Sequence, residues 1–162
     1  MNAMSDSISN ILVGIDFSEG STRALRYAAR LALQAGARLH VLHVHDKPPP
    51  LLPSPLAGLS LEAYEQRLKE DQEQLRASLA RLVDKEVTQL SEGQVPVSQS
   101  LREGEARRDI LQAASELKTD LIIVGSHGRG AVMRTLLGSV STFLCHDSSV
   151  PVLVVPAPER GA

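Results

Sequence analysis

The sequence predicts an α/β domain: an open, five-stranded parallel sheet with helices on both faces. Three observations carry that reading. Short β-branched apolar runs alternate with longer amphipathic segments, the pattern of successive βαβ units. Several runs are apolar throughout, as strands covered on both faces are. The chain has 162 residues, the size of one domain able to bury a core without disulfides.

The elements follow in order. Residues 10–16, NILVGID, form the first strand. Ser18 caps the next helix, Glu19 sits in its first turn and Gly36 closes it. Ala24, Leu25, Ala28, Leu31, Ala32 and Ala35 recur at spacings of three and four and make its apolar face. Residues 38–45, RLHVLHVH, form the second strand. Residues 46–58 hold five of the nine prolines and read as an extended loop. From 60 to 91 the chain is charged and helical, in one piece or two. Leu61, Tyr64, Leu68, Leu75, Leu79, Leu82 and Val83 fall on its stripe. Val95–Leu101 is the third strand, at a sheet edge because of Pro96 and its alternating pattern. Glu105–Lys118 is a helix, and 120–125, DLIIVG, is an interior strand. A Gly-rich loop over 125–138, a short helix over 139–147 and a strand over 150–155 complete the domain. Residues 1–9 are expected to be disordered, 10–156 to form the single domain and 157–162 a flexible tail.

Composition excludes several functions. Seventeen basic and nineteen acidic residues leave a net charge of −2, which argues against a nucleic-acid partner. Two Tyr, two Phe and no Trp leave no ring platform for base stacking. The single cysteine, Cys145, forbids an intrachain disulfide and reads as a small buried hydrophobe in a reducing compartment. The N-terminus has no basic and apolar secretory pattern, and no apolar run approaches the roughly 20 residues of a membrane span. A soluble cytoplasmic protein without a membrane partner is expected.

In open parallel sheets, ligands bind beyond the carboxyl ends of the strands, where the strand order reverses. Asp16, His45–Asp46 and Gly125–Gly130 reach that edge. Gly125 lets a ligand approach the strand end and permits positive φ. Gly128 and Gly130 suit an anion nest of backbone N–H groups, although Gly130 serves equally as turn chemistry. Gly138-Ser139 opens a helix whose first N–H groups lack partners, with the Ser139 and Ser141 hydroxyls beside them. The assembly is a phosphate cradle made mostly of backbone. It lacks the Gly-Lys-Ser/Thr ending of a P-loop and the Gly-x-Gly-x-x-Gly dinucleotide spacing. Without that lysine, the usual stabilisation of a transferring phosphoryl group is missing. Ser126 is not in a Gly-x-Ser-x-Gly elbow, so no catalytic residue is assigned. Arg129 and Arg134 read as solvated loop residues. His43 and His45 share a strand face, with His40 on the other, but two such histidines without a third ligand do not define a metal site. His127 reads as a loop residue within the cradle.

Gly125-x2-Gly128-x9-Gly138-Ser139 matches the nucleotide-binding signature of the universal stress proteins. ILVGIDFSEGSTRAL, VLHVHD and SSVPVLVVP resemble that family's first strand and helix, second strand and last strand, so the resemblance spans roughly residues 10–156. It implies strand order 3-2-1-4-5 and an ATP-binding stress-response regulator or sensor, with ATP (or another adenine nucleotide) as ligand, with or without Mg. It implies adenine against the backbone at Val44 and Asp16 on the ribose or on a divalent ion held by the phosphates. It also implies Gly125 against the ribose, with Gly128, Gly138, Ser139 and Ser141 on the phosphates; Gly130 and Val140 complete the expected cofactor-binding set. A homodimer through Val150–Val155 is implied as well. Gly14-Ile15 stands where some ATP-binding members carry Pro-Thr, which loosens the ribose assignment. The alternatives are a slow ATPase or self-phosphorylating protein, and a scaffold that holds AMP constitutively.

Overall fold

A computed structural model describes residues 7–47, 60–127 and 137–157. The proline-rich stretch from residue 48 onward lies outside the described residues, as do Gly128, Arg129, Gly130 and Arg134. Within them, β1 (Asn10–Ile15) lies in the middle of a five-stranded parallel sheet. β2 (Arg38–His45) and β3 (Val97–Glu103) extend it on one side, and β4 (Leu121–Gly125) and β5 (Val152–Val155) on the other. The order is 3-2-1-4-5.

Alternation along β1 sorts the two layers. Ile11, Val13 and Ile15 face the core beneath α1 (Glu19–Ala35) and α2 (Leu61–Val83), while Leu12 faces α3 (Ala106–Glu116) and α4 (Ser139–Asp147). Gly14 shares the second face. A Cβ there would lie 3.2 Å from Ile110 Cδ1, so glycine makes room for α3.

α1 begins and ends where its residues dictate. The Ser18 hydroxyl accepts from Ser21 N–H at 3.1 Å, and Gly36 closes the helix in the left-handed region at φ 65°. Ala24, Leu25, Ala28, Ala29 and Ala32 are buried, and the four small alanines let the helix lie close to the sheet. Ala35 and Leu33 are exposed, so the buried stripe is narrower than the spacing predicts and stops one turn early.

α2 is one helix, and only Leu79 and Val83 of it are buried; Leu61 is exposed. It continues as a π-helical stretch, Asp84–Thr88, which turns Glu86 and Val87 inward. The wider turn puts a glutamate where α1 can reach it, and Arg26 pairs with both of its carboxylate oxygens. β3 is displaced two residues from the predicted 95–101. Its parallel pairing with the long β2 carries through polar residues to His45 opposite Glu103, and Pro96 contributes only a carbonyl to Leu39 N–H at 2.9 Å. α3 stops at Glu116 instead of Lys118, which has φ 50°. Cys145 is exposed, against expectation: α4 turns Ser141 and Leu144 inward, and the next position faces out.

The Arg26 hydrogen bond holds the Glu86 carboxyl below its ordinary 4.5, against the opposing effect of burial. A depressed folded-state value stabilises above the unfolded one and is lost as pH falls through the folded one. Glu86→Gln is therefore expected to lower unfolding stability at pH 7 by about 1–2 kcal/mol. In urea titrations its gap to wild type should close below about pH 4; a gap independent of pH would contradict the ion pair's role.

Candidate functional site

β1 and β4 are neighbours whose chain connections leave in opposite directions, so a crevice opens beyond their carboxyl ends. A cleft of about 350 Å³ occupies that place. One side is apolar: Leu42 and Val44 from β2, Ala106 and Ile110 from α3, Val124 from β4 and Val140 from α4. The other is polar: Asp16, Ser21, His127, Ser139 and Ser141, with Gly125 and Gly138 between them. Asp16 is the only Asp, Glu, Lys or Arg among these lining residues. The structure thus gathers Asp16, Val44, Gly125, Gly138, Ser139, Val140 and Ser141, as the sequence predicts, from four elements and their ends.

Each polar group has a local cause. Asp16 ends β1, and its Oδ1 accepts from Ser18 N–H at 3.0 Å and from the Ser18 hydroxyl. Phe17 between them has φ 62°, a sparsely populated conformation for a large side chain. Its ring lies 4.7 Å from that of His43, whose Nδ1 lies 2.7 Å from the Ile15 carbonyl. His43 and His45 stack at 6.3 Å. No group of three potential metal ligands occurs among the described residues.

Gly125 borders the cleft and has a further reason to be a glycine, which is not a positive φ. Among the described glycines only Gly36 and Gly93 have positive φ. A Cβ on Gly125 would sit 2.9 Å from the Gly20 carbonyl carbon and 3.1 Å from Ser21 N. A Cβ on Gly20 would in turn meet the His127 carbonyl oxygen at 3.0 Å. The strand end and the first turn of α1 touch backbone to backbone.

Ser126 ties the rim together. Its N–H donates to the Val155 carbonyl at 2.8 Å, and its own carbonyl accepts from Gly138 N–H at 2.7 Å and from the Ser141 hydroxyl at 3.2 Å. Its hydroxyl accepts from Ala157 N–H at 3.1 Å. The Ser141 hydroxyl also donates to Gly138 O at 2.9 Å, so its proton is committed to carbonyls. Gly138 brings no capping side chain to α4, whose first N–H groups lack intrahelical acceptors. Those amides and the helix dipole make this end of the cleft a site for negative charge.

Sequence reasoning missed Ser21, Ala106 and Ile110. The last two lie four apart in the helix that follows β3, and that i, i+4 spacing beside a strand's carboxyl end is the signal that points to them.

The fold and the cleft define an open-sheet α/β protein with a cleft at its switch point. Residues 7–156 match the sequence profile described as the universal stress protein family. The chain belongs to that family. It is 37% identical to the Thermus aquaticus universal stress protein encoded 3′ of QAH/OAS sulfhydrylase, over 90% of this chain and 96% of that one. Among solved structures it resembles the protein MJ0577 at 27% identity and TM-score 0.73, covering 93% of this chain and 97% of that one. It shares its fold with a universal stress protein solved in complex with cAMP, at 19% identity and TM-score 0.64, over 94% of this chain and 100% of that one.

The Gly20–Gly125 contact predicts unequal costs for two glycine changes. Gly125→Ala should lower stability by about 1–3 kcal/mol. Gly138→Ala, whose Cβ meets Ser126 O at 3.2 Å, should cost less. Chemical denaturation compares them, and equal stabilities would refute the backbone contact as the reason for Gly125.

Proposed function

We propose that this protein binds ATP in the switch-point cleft and acts as a nucleotide-dependent stress-response regulator. The observation that carries the proposal is the division of the cleft into an apolar end and an end of backbone donors. A nucleotide has the same division: a flat base that gains from burial and an anion that gains from helix N–H groups. The base lies between Leu42 and Val44 on one side and Ala106 and Ile110 on the other. The ribose lies by Asp16 and Gly125, and the phosphates reach the Gly138–Ser141 turn. Gly128 and Gly130 complete the cradle in this reading. A divalent ion on the phosphates has one carboxylate at hand, Asp16, which fits an ion held mainly by phosphate and water.

The apolar walls and capless helix fit the ligand without further side chains. No lysine lines the cleft among the described residues, which favours holding a nucleotide over transferring its phosphoryl group. The cAMP complex of a protein with this fold makes an adenine nucleotide the first ligand to test. Regulation follows from mass action: ligand that binds only the folded state stabilises it, by about 2.7 kcal/mol at one hundred times Kd. A homodimer through β5 belongs to the same proposal, since that strand is an edge of the sheet among the described residues.

Equilibrium binding of ATP to the purified protein tests the reading. Saturable binding is expected, weakened at least about tenfold in Gly138→Val, whose side chain fills the space before the helix terminus. Absence of saturable binding by wild type, or equal binding by the variant, would sink it.

A further inference from the structure

Phe17 stands in a conformation that its own side chain makes costly. β1 ends at Ile15 and the cap of α1 is Ser18, so the turn between them falls on Asp16 and Phe17. Phe17 takes the left-handed part of it, at φ 62°. Glycine enters that region freely and a large side chain does not. Among the described residues the other non-glycines with positive φ are Glu92 and Lys118, and both are polar and exposed. Strain of this kind persists only where the surroundings enforce it, and it gathers at functional sites.

Here β2 enforces it. The Phe17 ring lies 4.7 Å from that of the buried His43, tilted by 57°. A carbonyl only accepts, so His43 Nδ1, 2.7 Å from the Ile15 oxygen, carries the proton and donates. One histidine thus grips residue 15 by its carbonyl and residue 17 by its ring. Asp16 lies between the two. Its N–H donates to the Ser21 hydroxyl at 3.3 Å, and its Oδ1 accepts from the Ser18 N–H and hydroxyl. It is the only carboxylate lining the cleft among the described residues. Turning φ at Phe17 to a negative value would swing Ser18 away from Oδ1 and release that carboxylate.

We propose that Phe17 is a positioning residue of the nucleotide site: its ring, seated on His43, locks the left-handed turn and so fixes the Asp16 carboxylate toward the ligand. The strain is accepted in exchange for a preformed acceptor, which loses little freedom when the nucleotide arrives. This rests on the nucleotide reading above and adds the residue that holds its one carboxylate in place.

Calorimetric titration of magnesium ATP tests it, with wild type, Phe17→Ala, Phe17→Gly, Asp16→Asn and the double variant of Phe17→Ala with Asp16→Asn. Asp16→Asn keeps an oxygen for Ser18 and removes the charge, and should weaken binding about tenfold. Phe17→Ala should do the same. Phe17→Gly should lose less, because glycine adopts the left-handed turn without a ring to lock it. In the double variant the loss should be no greater than in Asp16→Asn alone, since Phe17 acts through that carboxylate; a merely structural role would multiply the two losses. Phe17→Leu, which keeps the apolar bulk, takes the place of the alanine variant if that one does not fold. If Phe17→Ala or Asp16→Asn binds as wild type does, if Phe17→Gly loses as much as Phe17→Ala, or if the losses multiply, the positioning role is overturned while the nucleotide reading stands. If wild type binds no ATP, both fall together.

Discussion

The cleft depends on one close approach: the end of β4 against the first turn of α1, where Gly125 and Gly20 meet backbone to backbone. Side chains on either would push the helix from the strand and carry Asp16 and Ser21 with it. The contact brings the amino end of α1 to one side of the crevice. Ser126, the next residue, brings the amino end of α4 to the other by accepting from Gly138 N–H, and it anchors the exit of β5 through Val155 and Ala157. Two consecutive residues thus set the spacing between two helix termini. Neither contributes an ionised group, so the geometry is independent of pH and little affected by salt.

Much of this was legible in the sequence, and the rest was not for identifiable reasons. Alternating apolar runs and amphipathic stretches indicated the layers, and Ser18 and Gly36 marked α1 because caps are local chemistry. The displacement of β3 was hidden, since its last residues, Arg102 and Glu103, are drawn into the sheet by a partner strand and not by their own pattern. The π-helical turn at Asp84–Thr88 was also invisible, because Arg26, which answers the buried Glu86, lies on another helix. At the site, the glycine spacing located the cleft but did not show the Gly20 contact, and Gly125 does not use the positive φ that a glycine permits. Its constraint is tertiary, and a sequence cannot display which backbone passes 2.9 Å from a missing Cβ. Likewise the Ser141 hydroxyl looked like a free donor and is bound to two carbonyls.

A chain with two Tyr, two Phe and no Trp has to recognise a ligand by other means. In the proposed site aliphatic side chains from β2 and α3 form the wall, and main-chain amides at a glycine-opened helix would face the anion. Such a site needs no field of lysines, which agrees with a net charge of −2. It is also rigid, because amides in regular structure lose little freedom when a ligand arrives.

The central claim is that a nucleotide lies across this cleft with its phosphates on the α4 amides. Titration of 15N-labelled protein with ATP, followed amide by amide, tests it most directly. The largest shifts are predicted at Gly138–Ser141 and Gly125, with smaller ones at Val44 and Ala106. Amides of α2 and the Asp84–Thr88 turn should remain still. Saturating ATP that leaves the α4 amides unmoved, or that moves chiefly the β3–α2 surface, would contradict it.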